Sequence, residues 1–305
     1  MYWPLEVYTV NVVEERQVAS GRLERLDSFR SRRSAAPSAC TDVRPVKLSV
    51  VMAAFNEERT IGEAIVGVLA VRVPFEIELV VVDDGSTDST LEVAQSFDDP
   101  RLKVLAHSEC RGKGASVLDG ATAATGSHVL IFDADLEYSA EDIPSLVEPV
   151  LRGDASVVYG VRLRGSRTVF PSFKFALGSK VTTIFANVVF NSWLSDMHTC
   201  LKLMPLTLFR ELSLREAGFG LDTEITGEIL RRGIRPYEVA CAYHGRSVAD
   251  GKKISARDGV ECLKLVLQVR FRGRIKCDLG TAEPLRVLEG YAELEQDAEP
   301  IAVGS

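Results

Sequence analysis

Between residues 47 and 159 the sequence alternates short apolar runs with single segments of helical period, and this alternation narrows the available folds more than any other feature. Lys47 to Ala54 (KLSVVMAA) has the pattern of a buried strand. Residues 57–71 follow with apolar side chains at Ile61, Ala64, Ile65, Val68 and Leu69, the spacing of one helix face. The unit then repeats. Ile77 to Val82 is apolar and rich in β-branched residues, DDGSTDST (83–90) makes a turn with Ser86 or Asp88 as candidate helix caps, and Leu91 to Phe97 continues as a short helix. Strand Leu102 to Ala106, helix Gly114 to Ala124 and strand His128 to Phe132 extend the series. Strands separated by single helices predict one α/β domain, a mainly parallel sheet flanked by helices on both faces.

In such sheets ligands gather beyond the carboxyl ends of the strands. The polar clusters that follow the strands therefore converge: Phe55, Asn56 and Glu57 after the first, Asp83 and Asp84 after the second, Asp133 and Asp135 after the fourth. In VLIFDADLEY (129–138), Asp133 and Asp135 are two apart and share a face of an extended backbone, and Glu137 joins them if the chain stays extended. Three acidic groups at one strand end suit a hard cation, Mg2+ or Mn2+, with coordination places left for water and a diphosphate. The residues alone leave a second reading open, a solvated helix start, because Ser139, Glu141 and Asp142 follow. The common position of three clusters on one rim is what favours a site.

Further along, a helix is expected over Ala140 to Leu151 and a strand over Ser156 to Tyr159, ending at Gly160-Val161-Arg162. An arginine at a strand end can grip a phosphate bidentately, and Arg164 and Arg167 follow it. Phe170 to Leu194 holds five of the thirteen Phe and one of the two Trp, with Lys174 and Lys180 among them. Such a segment either lies against a membrane surface or forms a pair of core helices, and the second is the commoner cause of an aromatic stripe. A strand (CLKLM, 200–204), a short helix Phe209 to Leu214, a helix Leu221 to Arg232 carrying Asp222 and Glu224, and a last strand Ile234 to Val239 come next. Tyr243-His244-Gly245-Arg246 and Gly251-Lys252-Lys253 combine cations with glycines, the composition of a loop that closes over a diphosphate. Asp258 to Phe271 is amphipathic and runs into Arg270, Arg272, Arg274 and Lys276, a cationic end for lipid headgroups or for the helix dipole.

Composition sets the outer limits. With 305 residues, 46% of them hydrophobic, the chain can bury a full core. Its net charge of −7 divides into +1 over residues 1–46, −2 over 47–276 and −6 over 277–305, so no basic excess points to nucleic acid. These segments are expected to be a mobile N-terminal extension, the catalytic domain and an acidic C-terminal tail. The six cysteines form no CxxC pair, which fits reduced thiols in the cytoplasm. No apolar run approaches the roughly 20 residues of a membrane span, and Glu6 without a leading positive charge is unlike a signal peptide. The expectation is a cytoplasmic protein, soluble or peripheral on the inner face of the plasma membrane. Arg111-Gly112-Lys113-Gly114 lacks the spacer and the Lys-Ser/Thr end of a Walker A loop, and is expected to help bind a diphosphate or to cap a helix.

AAFNE (53–57), DDGS (83–86), RGKG (111–114) and DADLEY (133–138), in this order and spacing, resemble the family 2 glycosyltransferases of the GT-A fold over about residues 47–272. YGVR (159–162), DMHTCLKL (196–203), FGLDTEI (219–225) and HGRSVADGKK (244–253) resemble more narrowly the dolichyl- or polyprenyl-phosphate mannosyltransferase branch. The resemblance implies that Ala53, Phe55, Glu57 and Asp84 hold the nucleoside, that Asp133, Ala134 and Asp135 meet the nucleotide sugar, and that Asp135 and Glu137 bind Mg2+ or Mn2+. It also implies phosphate-binding roles for Arg162, Arg246 and Lys252, with Lys113 nearby. Position 137 is Glu where close mannosyltransferases often have Gln, and positions 53 and 55 are Ala and Phe where Pro and Tyr are usual.

The function so implied is metal-dependent, inverting transfer of a sugar from a GDP- or UDP-sugar to a polyprenyl or dolichyl phosphate at the cytoplasmic membrane face. A lipid phosphate needs no strong base, since its second pKa is about 6. A hydroxyl acceptor would need one, and Asp222 is the candidate. Asp135, Arg162 and Asp222 are thus the candidate catalytic residues. Two alternatives stay open: a soluble transferase acting on a saccharide or small-molecule hydroxyl in envelope or exopolysaccharide synthesis, and a non-catalytic nucleotide-sugar-binding protein.

Overall fold

The structure, a computed structural model, describes residues 47–162, 168–170, 172–246 and 256–273. The expected extension 1–46 and tail 277–305 lie outside the described residues, as do Arg164, Arg167, Lys252, Arg274 and Lys276. Strand β1 (Lys47–Ala54) lies between β2 (Glu76–Asp83) and β4 (His128–Asp133), parallel to both, and β3 (Leu102–Ala106) pairs in parallel with β2. Beyond β4 come β7 (Lys202–Pro205), β5 (Val158–Val161) and β8 (Tyr237–Ala240), giving the order β3-β2-β1-β4-β7-β5-β8. Strand β7 runs antiparallel to both of its neighbours, whereas β5 and β8 are parallel. A separate parallel pair joins β6 (Thr168–Val169) to β9 (Tyr243–His244), and Tyr243 also bridges to Tyr138.

The parallel half forms as its residues dictate. Val50, Val51, Met52, Leu79, Val81, Leu130 and Ile131 are wholly buried because helices cover both faces of the sheet, which is why these strands read as unbroken apolar runs. Helices α1 (Ile61–Leu69), α2 (Thr90–Gln95) and α3 (Lys113–Ala123) supply that cover, α3 lying directly against β1 and β2. A Cβ on Gly120 would lie 2.5 Å from Val51 Cγ1, so only glycine lets α3 approach this closely. The chain returns from β3 to the other side of β1, which makes the β1/β4 boundary the switch point of the sheet. Register sets Ala54 beside Asp83 and Ala53 beside Asp133, so the three acid-bearing strand ends meet on one rim.

Several expectations shift. The helix expected over 57–71 starts at Ile61, because residues 55–60 are a loop tied to the turn after β2. Asn56 takes a left-handed backbone (φ 57°), its Oδ1 accepts from Thr87 N–H at 2.8 Å, and Glu57 N–H donates to Thr90 Oγ1 at 2.8 Å. Ser86 and Asp88 serve that tie, and Ser89 takes the cap position of α2. The helix expected over 140–151 is a 3-10 turn (Ala140–Asp142) followed by α4 (Ile143–Leu151).

The aromatic segment is not a pair of core helices. It is one 18-residue helix, α5 (Phe173–Phe190), which buries only a narrow face of Thr182, Thr183, Ala186 and Phe190. By length and composition α5 could cross a membrane, contrary to the sequence expectation, but here it lies along α7 (Leu221–Arg231) and α8 (Ala256–Phe271). Its Thr182 and Thr183 hydroxyls bond His198 Nε2 and Met197 N–H. Phe173 (79% exposed), Leu177, Val181, Ile184 and Val188 (75%) form a stripe along its outer side, with Trp193 (85%) beyond its end. The expected cationic end of α8 is partly structural: Arg272 pairs with Glu224 of α7 at 2.6 Å, and Arg270 Nε donates to the Val189 carbonyl.

Candidate active site

Each carboxylate on the rim has a partner supplied by a different element. Asp133, the last residue of β4, pairs with Lys113 at the start of α3 (2.7 Å). The strand ends there: residues 134 and 135 are in a turn and Leu136 is left-handed (φ 59°), so neither Asp135 nor Glu137 continues the extended line expected from Asp133. Asp135 Oδ1 accepts from Glu137 N–H at 3.0 Å, and Asp135 Oδ2 accepts from the Arg246 guanidinium at 2.9 Å. Arg246 also forks onto both oxygens of Glu57, each at 2.9 Å, and so joins the loop after β1 to the loop after β4. Glu137 accepts from Tyr243 Oη–H at 2.8 Å and from Arg246 N–H at 2.7 Å. Burial and the neighbouring charges of Asp133 and Glu137 push the Asp135 carboxyl up to about 7, against the pull of Arg246.

Asp222 opens α7 and faces the same rim. Lys202 Nζ donates to its Oδ1 at 2.8 Å, and Lys113 Nζ lies 3.9 Å from its Oδ2. Burial pushes the Asp222 carboxyl up, but the two ammonium groups outweigh it and hold the group below the usual carboxylate range. For Lys113 burial opposes the charge, yet Asp133, Cys200 and Asp222 raise it well above the usual lysine value. An ionised carboxylate bound to an ammonium is a poor proton acceptor, which argues against Asp222 as a general base. Lys202 is a residue that sequence reading did not single out. An antiparallel strand begins where its parallel neighbours end, so β7 delivers Lys202 to the rim opposite Ile131, wholly buried. A lysine inside the apolar run CLKLM was the available signal.

The loop Arg111 to Gly114 is closed rather than open to a diphosphate. Asp84 accepts from Arg111 N–H (2.9 Å), Gly112 N–H (2.7 Å) and His107 Nδ1 (2.8 Å), and Gly114 N–H donates to the Ala217 carbonyl at 2.6 Å. Gly112 sits at φ 99°, and a Cβ there would lie 2.4 Å from the Ala217 oxygen. Burial raises the Asp84 carboxyl, and these donors more than reverse it. Asp84 thus organises the loop, while Ala53 and Phe55 are partly exposed at the rim and Ala134 is buried.

Arg162 is not presented to the rim as a free cation. It is 4% exposed and forks onto Asp196 at 2.6 and 2.9 Å, with Ser179 Oγ at 3.4 Å. Its guanidinium carbon lies 5.0 Å from the Tyr243 ring centroid and 6.0 Å from that of Phe170. Asp196 and Tyr243 fall within DMHTCLKL and Tyr243-His244-Gly245-Arg246, yet sequence reading assigns neither a role of its own, because contacts such as the Arg162–Asp196 pair, 34 positions apart, leave no local pattern.

Around Asp135 and Lys113 the rim brings the carboxylates of Glu57, Asp133, Asp135, Glu137 and Asp222 together with the cations Lys113, Lys202 and Arg246. The surplus of negative charge and the oxygen-only donors fit a hard divalent cation. Among the described residues no group of three His, Cys, Asp or Glu side chains could hold one, so a cation here would rest on one or two carboxylates completed by a ligand's phosphates and water.

The family described as Glycosyl transferase family 2 matches residues 49–213, more than half of the chain. The chain is a family 2 glycosyltransferase. This glycosyltransferase is 29% identical over 212 residues to the low-salt glycan biosynthesis hexosyltransferase Agl6 of Haloferax volcanii, covering 68% of the chain and 50% of the relative. It is 34% identical over 125 residues to the dodecaprenyl-phosphate galacturonate synthase of Rhizobium johnstonii (39% and 37% covered). To the dolichol-phosphate mannosyltransferase of Pyrococcus furiosus it is 29% identical over 123 residues (40% and 35%). The chain spans half or less of the length of these curated relatives. Among solved structures, glucosyl-3-phosphoglycerate synthase from Mycobacterium tuberculosis superposes with a TM-score of 0.57 at 20% identity, over 75% of this chain and 81% of that one. The same enzyme in complex with Mn2+, UDP-glucose and phosphoglyceric acid gives 0.57 at 19% identity over 79% and 87%. At such identities these neighbours show the fold, which is GT-A.

Proposed function

We propose that this glycosyltransferase moves a sugar from a nucleoside-diphosphate sugar to a polyprenyl phosphate at the cytoplasmic face of a membrane, with inversion at the anomeric carbon. The observation that carries the choice of acceptor is the Asp222–Lys202 ion pair. The rim carboxylate considered as a base is already bound to an ammonium, which suits an acceptor that arrives ionised. Two features support the reading. The outer stripe of α5 offers apolar surface with Lys174 and Lys180 and no acid along the helix, as an anionic bilayer surface would require. Phe170, just before α5, packs on Tyr243, whose hydroxyl reaches Glu137, so this surface leads directly to the acidic rim. Two of the relatives named above are polyprenyl- or dolichyl-phosphate sugar transferases.

In this reading Asp135 and Glu137 hold Mg2+ or Mn2+, and Asp133 and Ala134 meet the donor. When bound, the cation neutralises the leaving diphosphate. Arg246, now shared between Glu57 and Asp135, is the side chain placed to turn towards a donor phosphate, with Lys252 as its expected companion. Ala53, Phe55 and Glu57 line the nucleoside end. Arg162 would have to leave Asp196 to meet a phosphate, so its role in this reading is to brace the site from behind.

The experiment incubates purified protein with Mn2+ or Mg2+, a panel of UDP- and GDP-sugars and a short polyprenyl phosphate, and follows label into the organic phase. Metal-dependent transfer that disappears in Asp135→Ala is expected. Nucleotide release without lipid labelling would overturn the acceptor and favour a hydroxyl. Failure to bind any donor would overturn the enzymatic reading of the site.

A further inference from the structure

We propose that Tyr243 is a positioning residue for the cation site, acting through Glu137. The proposal rests on the reading of Glu137 as a metal ligand given above. Tyr243 is wholly buried, and its hydroxyl donates to Glu137 Oε2 at 2.8 Å while accepting from the Arg162 guanidinium. The ring is fixed from three sides: Tyr138 at 5.3 Å between centroids, Phe170 at 5.6 Å, and the Arg162 guanidinium carbon 5.0 Å from its centroid. Arg162 is itself locked by its bidentate pair with Asp196.

The backbone around the ring is equally determined. Tyr243 pairs with Thr168 in the two-stranded sheet and bridges to Tyr138, Ala242 N–H donates to Asp142 Oδ2 at 2.6 Å, and His244 N–H donates to the Glu137 carbonyl at 2.9 Å. A hydroxyl held this firmly fixes the rotamer of the carboxylate it bonds. That carboxylate needs fixing, because it lies after the left-handed turn at Leu136 and is no longer in line with β4. Partners that orient a ligand contribute to metal affinity without touching the metal. Asp196, Arg162 and Tyr243 thus form a rigid backing for Glu137.

The test counts free Mn2+ by electron paramagnetic resonance as Mn2+ is titrated into the full chain with saturating UDP or GDP. Tyr243→Phe removes one oxygen and keeps the ring, and it is expected to weaken Mn2+ binding about 10-fold. In a Glu137→Ala background the same change is expected to add less than about 2-fold, because no ligand is left at 137 for the hydroxyl to orient. Unchanged Mn2+ affinity in Tyr243→Phe overturns the proposal alone, and so does an equal loss in both backgrounds, which is what a purely structural role would give. A wild-type chain that binds no Mn2+ with either nucleotide overturns the metal reading and this proposal together. Should Tyr243→Phe fail to fold, Phe170→Ala removes a brace while keeping the hydroxyl, with a weakening of about 3-fold expected and none overturning the proposal.

Discussion

The two halves of the sheet share one apolar core but place their charge differently. In the β3-β2-β1-β4 half the buried strand residues are nearly all hydrocarbon, and the acids that bond lie towards the strand ends: Asp83, Asp84 and Asp133 on the rim, and Glu78 bonded to buried Ser49 and to Thr125 on the opposite side. The half built from β7, β5, β8 and their helices instead buries ions in pairs: Arg162 with Asp196, Lys202 with Asp222, and Glu224 and Glu228 of α7 with Arg272, Arg231 and Arg232. Apolar burial is non-directional and needs only the right pattern, so the first half provides a stable platform. Ion pairs are directional and costly to break, so the second half can hold particular side chains against that platform.

The contrast can be broken by substitution. Asp196→Ala leaves the Arg162 guanidinium buried without its counter-ion, and a loss of about 3–5 kcal/mol is expected by urea unfolding. Replacing both partners with apolar residues of similar volume should cost less than Asp196→Ala alone; a larger cost would mean the pair is not the unit that matters. In the parallel half, Leu130→Ala is expected to cost about 2–5 kcal/mol through lost burial and a cavity, with no second substitution of charge able to restore it.

Glu78 sharpens the comparison through pH. Burial raises its carboxyl, but Ser49, Thr125 and Lys47 reverse this and lower it from 4.5 to about 2. A carboxyl depressed in the folded state contributes stability that is fully present above its ordinary value and is lost as pH falls towards about 2. Glu78→Gln should therefore cost about 1–3 kcal/mol at neutral pH and flatten the acid limb of the stability profile below about 4.5. An unchanged acid limb would place the acid-sensitive group elsewhere.

The smallest effect on stability is expected on the outer face of α5. Phe173→Ser with Val188→Ser should change unfolding free energy by no more than about 0.5 kcal/mol, because both side chains are exposed. The same pair should reduce binding to anionic lipid vesicles in a flotation assay. Retained vesicle binding would show that the outer stripe of α5 is not the membrane contact.

The sequence by itself determined the parallel half and its rim. KLSVVMAA, EIELVVVD and HVLIFD are strands because continuous apolar runs can only be satisfied between two layers, and the polar residues ending them must then fall on one edge. Asp84, Asp133 and Asp135 were legible as rim residues for that reason, whereas Ala53 was named only through the family resemblance. Tertiary structure decided the rest. It closed the Arg111–Gly114 loop onto Asp84, bound Asp222 to a lysine from an antiparallel strand, withdrew Arg162 onto Asp196, and set Tyr243 against Glu137 across 106 positions of chain. It also left α5 with an apolar face outward, where its composition had suggested a core helix. Hydrophobic period is a local property of the chain. The partner of a buried charge is chosen by strand direction and by which elements meet, and no local pattern records that choice.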